Sequence, residues 1–306
     1  MNKRFLAVLL ILIPIVAASA CIGGDENIDN WNEIVQTANA HADDAGDYIS
    51  DAEAAYGNGN YLVALNKADD AASEMSKLSN ELDDLMDVAD EMDNGFTVDY
   101  VEAWQAKVDA GQSYTANLKM LIHIDMFDEA YQQVLVEQDM AFAQMLDFMD
   151  YYNSDSYQMA LTAGNYSMSG FQTIIGFADK MLESAGNIGV DYVIQYANVG
   201  KTLFENYQSF VEYGVIACSA AIDGDFTSAD SYVDQANVFY TQADADQTTI
   251  NNIQTANAGE FPLEGMSLGS LYEQYYNTLQ DDYQDIENYT TVMENIEEEN
   301  DDFFVE

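Results

Sequence analysis

The chain has 306 residues, of which 55 are Asp or Glu and only 8 are Lys or Arg, so its formal net charge at pH 7 is -47. Hydrophobic residues make up 48% of it, which excludes ordinary disorder, because disordered chains combine high net charge with low hydrophobicity. The charge also excludes a protein that binds nucleic acid or anionic headgroups through its surface, since phosphate binding needs Lys and Arg. Such an acidic surface is typical of adaptation to a saline exterior, where salt screens self-repulsion.

The N-terminus has the layout of a signal peptide. Lys3 and Arg4 precede the uncharged apolar stretch Phe5–Ala17, which is shorter than the roughly 20 residues of a membrane span. Small residues and then Cys21 follow. This order resembles the lipobox of secreted lipoproteins, those of archaea in particular, in which the signal is cut before the cysteine and the thiol is lipidated.

The resemblance implies a signal peptide over residues 1–20 and a tether over 21–27 that carries lipid on Cys21. It also implies an extracytoplasmic position, on the outer face of the cytoplasmic membrane. An uncleaved N-terminal anchor is the alternative, since Phe5–Ile22 carries no charge.

The rest of the chain predicts an all-α fold of antiparallel helical hairpins. Apolar residues recur at helical spacing, most clearly over Leu268–Ile296, where they step by three or four along one face. Alternating strand patterns bounded by hairpin signals are nearly absent. Turn residues place helices near 28–56, 61–92, 98–122, 127–151, 155–163, 167–185, 189–221, 227–257 and 267–299.

Three predicted turns share a glycine, then Asn or Asp, then an aromatic residue. They are Gly59-Asn60-Tyr61, Gly164-Asn165-Tyr166 and Gly224-Asp225-Phe226. Glycine can end one helix in a left-handed conformation, and Asn or Asp can cap the next. These turns, with a weaker copy at 125–130, resemble the inter-helix turn of tetratricopeptide repeats. Their spacing differs from that family's period of about 34 residues, so the resemblance implies helical hairpins without a regular superhelix.

A second internal similarity suggests a duplication. The tetrapeptide Val-Asp-Tyr-Val occurs at 98–101 and again at 190–193, both at predicted helix starts. The predicted organisation is a helical body over 28–258 with related halves 28–151 and 152–258, a linker over 259–266, and a C-terminal helix with an acidic tail over 267–306. The tail ends in Phe303-Phe304-Val305, which either frays or packs back onto the bundle.

The sequence carries no catalytic signature. His41 and His123 form no metal-binding pair, and Cys-x-x-Cys, phosphate-loop and Gly-x-Ser-x-Gly motifs are absent from it. The acidic segment around Gly95 fails as a calcium loop, which leaves only weak surface binding of divalent cations. Cys218 lies in an apolar helical stretch and is expected to be buried and inert. We therefore expect no enzyme, no cofactor and no dedicated metal site.

Tyrosine and methionine are unusually frequent, with 21 and 14 copies. Tyrosines such as Tyr272 and Tyr283 fall on apolar helical faces, which predicts packing, while the methionines over 120–149 either fill the core or line an adaptable groove. Asn165 and Asn288 begin Asn-x-Ser/Thr sequons and are candidate N-glycosylation sites.

These observations favour a lipid-tethered helical module that binds an unidentified protein partner, because stacked helical hairpins build broad binding surfaces. The alternative is a lipoprotein that binds a small ligand or cation in a cleft, lined by tyrosine and methionine, between the two halves.

Overall fold

In a computed structural model of the protein, residues 26–92, 94–260 and 268–304 are described. The helices among them are α1 (Glu26–Gly57), α2 (Tyr61–Glu91), α3 (Gly95–Asn153), α4 (Tyr157–Ile188), α5 (Asp191–Ile222), α6 (Phe226–Ala256) and α7 (Gly269–Glu299). No strand accompanies them in the described ranges, which confirms the all-α prediction. The predicted signal peptide, Cys21 and residues 261–266 of the linker lie outside the described residues.

Two of the expected turns are continuous helix instead. The helices expected at 98–122 and 127–151 are both part of α3, and those at 155–163 and 167–185 are both part of α4. The prediction that Gly164 and Tyr166 form a hairpin turn is therefore wrong. A Cβ at Gly164 would lie 2.5 Å from Cγ2 of Val215 on α5, so this glycine permits the close approach of two helices rather than a reversal of the chain.

The other two turns reverse the chain where the sequence placed them. Gly59 between α1 and α2 and Gly224 between α5 and α6 have φ of 75° and 81°, a left-handed conformation that favours glycine. The aromatic residue of each turn then begins the following helix. Asp225 caps α6 by accepting a hydrogen bond of 3.1 Å from the backbone N–H of Ser228.

The chain divides into two compact units. Unit 1 comprises Met1–Ile122 with Glu273–Glu306, and unit 2 comprises His123–Tyr272. The division falls inside α3, and most of α7 belongs to unit 1, so the units differ from the predicted halves 28–151 and 152–258. Unit 1 contains α1, α2 and parts of α3 and α7, and unit 2 contains α4, α5, α6, the rest of α3 and the first turn of α7.

Unit 1 has a core with coiled-coil spacing. The buried residues of α1 and α2 alternate steps of three and four, which keeps one narrow stripe of each helix against its neighbour. In α1 they include Trp31, Val35, Ala38, Ala42, Ala45, Ile49, Ala52 and Tyr56, and in α2 they include Ala64, Ala68, Ala71, Met75, Leu78, Leu82, Leu85 and Ala89. The many alanines allow the two backbones to approach closely.

The end of the chain packs back onto unit 1. Phe304 is buried, with its ring centroid 4.9 Å from that of Tyr100 on α3. Phe303 packs edge-on against Trp31 of α1 at 5.9 Å and against Phe96 at 5.1 Å. Of the two outcomes left open for the tail, packing is the one observed.

Unit 2 is built on close contacts between helices. On α3, Ala141 faces Gly170 of α4, where a Cβ would lie 2.9 Å from the alanine Cβ. The buried Ser167 donates a hydrogen bond of 3.0 Å to the carbonyl oxygen of Ala141. Helix α6 turns one residue in seven inward, burying Ala229, Ala236, Ala243 and Ile250. Most of its remaining surface is therefore in contact with solvent.

Candidate functional site

Unit 2 contains a cleft of about 270 Å³ between α3, α5 and α6. We call it the aromatic cleft. It is lined by Phe148, Met149, Tyr152, Asn153, Phe210, Gly214, Val233, Ala236, Asn237 and Tyr240. Its volume suits a small molecule or a single side chain.

Four aromatic rings follow one another along this cleft. The centroid of Phe148 lies 6.4 Å from that of Tyr152 and 6.3 Å from that of Phe210, which in turn lies 5.2 Å from Tyr240. The planes of these successive pairs are inclined at 46°, 80° and 58°. The rings therefore do not stack face to face on one another.

Small residues opposite the rings keep the cleft open. A Cβ at Gly214 would lie 2.4 Å from Cζ of Phe148, so glycine lets this ring pack directly against the backbone of α5. Ala236 supplies only a methyl group from α6. A larger side chain at either position would displace the ring or fill the space.

The lining of the aromatic cleft has no charged residue, and carboxylates lie nearby. Burial raises the pKa of Tyr152, and Cys218 and Asp230 raise it further. Burial likewise raises the pKa of the neighbouring Tyr207, with Tyr240 and Asp244 adding to the effect. Asp230 and Asp244 thus place negative charge near Tyr152 and Tyr207.

In a second cleft of about 250 Å³ in unit 2, two tyrosines are already hydrogen-bonded to each other. The rings of Tyr131 and Tyr196 are 6.1 Å apart, and the Tyr196 hydroxyl forms hydrogen bonds with Tyr131 and with Gln254. Burial, followed by the interaction with Tyr131, raises the pKa of Tyr196. These tyrosines hold helices together and offer fewer free groups to a ligand.

Unit 1 buries a polar cluster between α3 and α7. The Tyr100 hydroxyl donates a hydrogen bond of 2.7 Å to Oε1 of Glu297, whose pKa burial raises. Lys107 is 3% exposed, and burial lowers its pKa to about 8 even though Glu294 and Glu297 act to raise it. The cluster ties the end of α7 to α3.

A half-buried carboxyl group lies where α7 begins. Burial, with Asp125 nearby, raises the pKa of Asp128 to about 8. The carboxyl group accepts a hydrogen bond from the backbone N–H of Leu268, the residue before α7. This contact has a structural role in fixing the start of the helix.

The described residues hold no group of three or more His, Cys, Asp or Glu that could bind a metal ion. His41 pairs through Nδ1 with Oε2 of Glu74 at 2.7 Å, and His123 lies elsewhere, on α3. Cys218 is a free, buried thiol whose pKa burial raises to about 11. A thiol in this state is a poor nucleophile and metal ligand.

The sequon asparagines both lie within helices rather than turns. Asn165 is exposed on α4, where its Nδ2 donates to the carbonyl oxygen of Leu161 at 2.8 Å, but the hydroxyl of its sequon partner Ser167 is buried. The expectation that Asn165 sits in an exposed turn is therefore wrong. Asn288 is exposed on α7.

An exposed apolar stripe runs along the unit 2 part of α3. Val136 is 62% exposed, and Met140 and Leu146 are each 59% exposed. Together with Ala143, they are spaced by three or four residues and so lie along one side of the helix. We call these four residues the α3 stripe.

The sequence identified some of this surface and missed the rest. For the methionines over 120–149 the sequence left core filling and an adaptable groove as alternatives. Met145 is buried in the core, Met140 lies on the α3 stripe and Met149 lines the aromatic cleft. The four rings of the cleft were not singled out. The signal that could have indicated them is Gly214, a glycine in the middle of an apolar helical run.

None of the helices in the described part of the chain is long and apolar enough to cross a membrane. Comparison with models of protein families, with curated proteins and with solved structures found no match.

Proposed function

We propose that the protein is a membrane-tethered, extracytoplasmic helical lipoprotein that acts as a protein-interaction module. The observation that carries the proposal is the α3 stripe. Three large apolar side chains on one side of one helix, each more than half exposed, form a continuous apolar surface rather than a scatter of single residues.

Charge defines the partner that fits this surface. The stripe extends over about 15 Å of helix and is bordered on α3 by Asp139, Asp147 and Asp150. A partner helix or loop with apolar side chains flanked by Lys or Arg would bury the stripe and pair with these carboxylates. The net charge of -47 would attract such a basic partner over long range at low salt.

The membrane tether rests on the sequence. Lys3, Arg4, the apolar stretch and Cys21 occur in the order that lipoprotein processing requires. A pair of lipid chains on Cys21 would give a stable anchor, whereas one chain gives only reversible binding.

The test is co-purification from membranes. The protein is cross-linked in membranes at native salt, extracted, and analysed by mass spectrometry together with whatever it retains. We expect a stoichiometric protein partner, and an N-terminal peptide that starts at a lipid-modified Cys21. An N-terminus that still carries residues 1–20 would refute the lipoprotein assignment.

A matched pair of variants locates the interface. V136S/M140S/L146S removes the apolar side chains of the stripe, while L62S/V63S removes exposed apolar side chains of unit 1. The first should lose the partner and the second should keep it. Recovery of the wild-type protein alone, or equal loss from both variants, would overturn the interaction proposal.

A further inference from the structure

We propose that the aromatic cleft binds a small organic cation of the quaternary ammonium class. The cleft and the α3 stripe share no residue, so this proposal goes beyond the protein-interaction role and does not depend on it.

The arrangement of the rings favours a cationic ligand. An ammonium ion is attracted to the face of an aromatic ring, and several rings at different inclinations form a cage around it. In the aromatic cleft, Phe148, Tyr152, Phe210 and Tyr240 are inclined at 46° to 80° from one to the next. Phe148 and Phe210 meet edge to face and are only 4% and 7% exposed. The ring faces that a ligand can reach are therefore those of Tyr240, which is 43% exposed, and of the half-buried Tyr152.

The residues in and around the aromatic cleft favour a positively charged ligand over a negatively charged one. The lining carries no Lys or Arg, so an anion would find no partner there. Asp230 acts on Tyr152 in the lining, and Asp244 acts on Tyr207, whose ring centroid lies 6.3 Å from that of Tyr240. Both the nearby carboxylates and the net charge of -47 raise the local concentration of cations.

The chemistry of the walls selects among cations. A primary ammonium group has three N–H donors, and burying them without acceptors is costly. The polar groups of the lining are the amides of the exposed Asn153 and Asn237 and the hydroxyls of Tyr152 and Tyr240, while the buried walls are the rings of Phe148 and Phe210. A quaternary ammonium has no N–H to satisfy, is weakly hydrated, and fits such walls.

The volume is consistent with this class of ligand. An apolar cavity of about 150 Å³ holds a molecule of the size of benzene, so about 270 Å³ holds a trimethylammonium group with a short polar arm. The amide groups of Asn153 and Asn237 are available to a hydroxyl group on that arm.

The direct test compares choline with its neutral isostere, 3,3-dimethylbutan-1-ol. The two have the same shape and differ in charge. Each is titrated into the full-length protein by isothermal titration calorimetry at native salt, and a thermal melt at the same salt checks that the protein is folded. We expect saturable binding of choline and at least tenfold weaker binding of the alcohol. Absence of choline binding, or equal affinity for the two probes, overturns the proposal.

Ring variants then locate the site. Tyr240→Leu removes one aromatic face and should weaken choline binding about tenfold, whereas Tyr240→Phe keeps the face and should bind like the wild type. Tyr240 is partly exposed, so both variants should fold, which a thermal melt checks. Unchanged choline affinity in Tyr240→Leu would place the ligand elsewhere and overturn the assignment.

A charge variant supplies an independent readout. Asn237→Lys places a positive charge at the edge of the cleft and should weaken choline binding about tenfold. Asn251→Lys makes the same change on an exposed part of the same helix, about 21 Å farther along, and should have no effect. Equal effects of the two substitutions would show that choline responds only to overall charge, which overturns the site.

Discussion

Replacing the buried Lys107 by methionine should stabilise unit 1. Lys107 is 3% exposed and borders a void of about 10 Å³ whose other walls include Ile49, Met75 and Leu78. Burial lowers its pKa from 10.5 to about 8. Methionine has nearly the same length and no charge, so it fits the site without the desolvation penalty.

The magnitude follows from the pKa of Lys107. Each pH unit corresponds to about 1.4 kcal/mol, so holding the charged lysine in the folded state costs about 3 kcal/mol at pH 7. The unfolded chain keeps this proton up to about pH 10.5 and the folded chain only up to about pH 8. Between these values the unfolded state binds more protons, so the stability of the wild type rises with pH. The advantage of Lys107→Met should therefore shrink from about 3 kcal/mol below pH 8 toward zero near pH 10.5.

The protein carries its own probe for this experiment. Both tryptophans, Trp31 and Trp104, are buried in unit 1, so their fluorescence during urea unfolding reports on that unit. Lys180→Met is the control, because it removes one positive charge from an exposed position on α4. If Lys107→Met is no more stable than the wild type at pH 7, or its advantage is independent of pH, the reasoning is refuted.

Three further predictions concern packing. Phe304→Ala should lower the free energy of unfolding of unit 1 by about 3 kcal/mol in the same fluorescence assay. Leu62→Ala, at an exposed position, should change it by less than about 0.5 kcal/mol. Similar effects of the two substitutions would mean that the tail does not pack. Gly214→Ala should lower the free energy of unfolding by about 1–3 kcal/mol, because its Cβ would overlap the ring of Phe148. Gly176→Ala, whose Cβ would meet no atom within 4 Å, should raise it by about 0.5–1 kcal/mol. Thermal melts that rank the two variants the other way would contradict the close contact at Gly214. Cys218 should resist alkylation by iodoacetamide at about pH 8 until urea unfolds unit 2, and rapid labelling of the folded protein would show that the thiol is accessible.

Several features of the fold were predictable from local sequence. The left-handed glycines Gly59 and Gly224 follow helical runs and precede Asn60 and Asp225, so the reversal of the chain is encoded within a few residues. The expected cap forms at Asp225, whereas the Asn60 side chain makes no capping hydrogen bond to α2. The same pattern failed at Gly164. There the glycine accommodates Val215 of α5, some fifty residues away in the sequence. The helix continues because this packing between α4 and α5 stabilises it.

The candidate sites were less predictable, because their parts come from distant segments. The aromatic cleft exists because Gly214 on α5 admits the ring of Phe148 on α3 and because α6 places Tyr240 beside Phe210. The α3 stripe lies on a single helix, and it was hard to predict because the sequence does not show which apolar residues are exposed. Val136 and Met140 look like core residues in the sequence, and only their exposure in the folded unit distinguishes them.

The sequence by itself determined the all-α class, the positions of most helices, and the strongly acidic surface, because helical periodicity, capping and charge are properties of neighbouring residues. Tertiary structure decided that α3 continues across residues 125–130, where Phe127 and Ala130 are buried. It also decided that Lys107 is buried away from solvent and that Phe304 packs against Tyr100. These outcomes depend on which side chains meet across helices, and packing free energy between distant segments is absent from any local pattern.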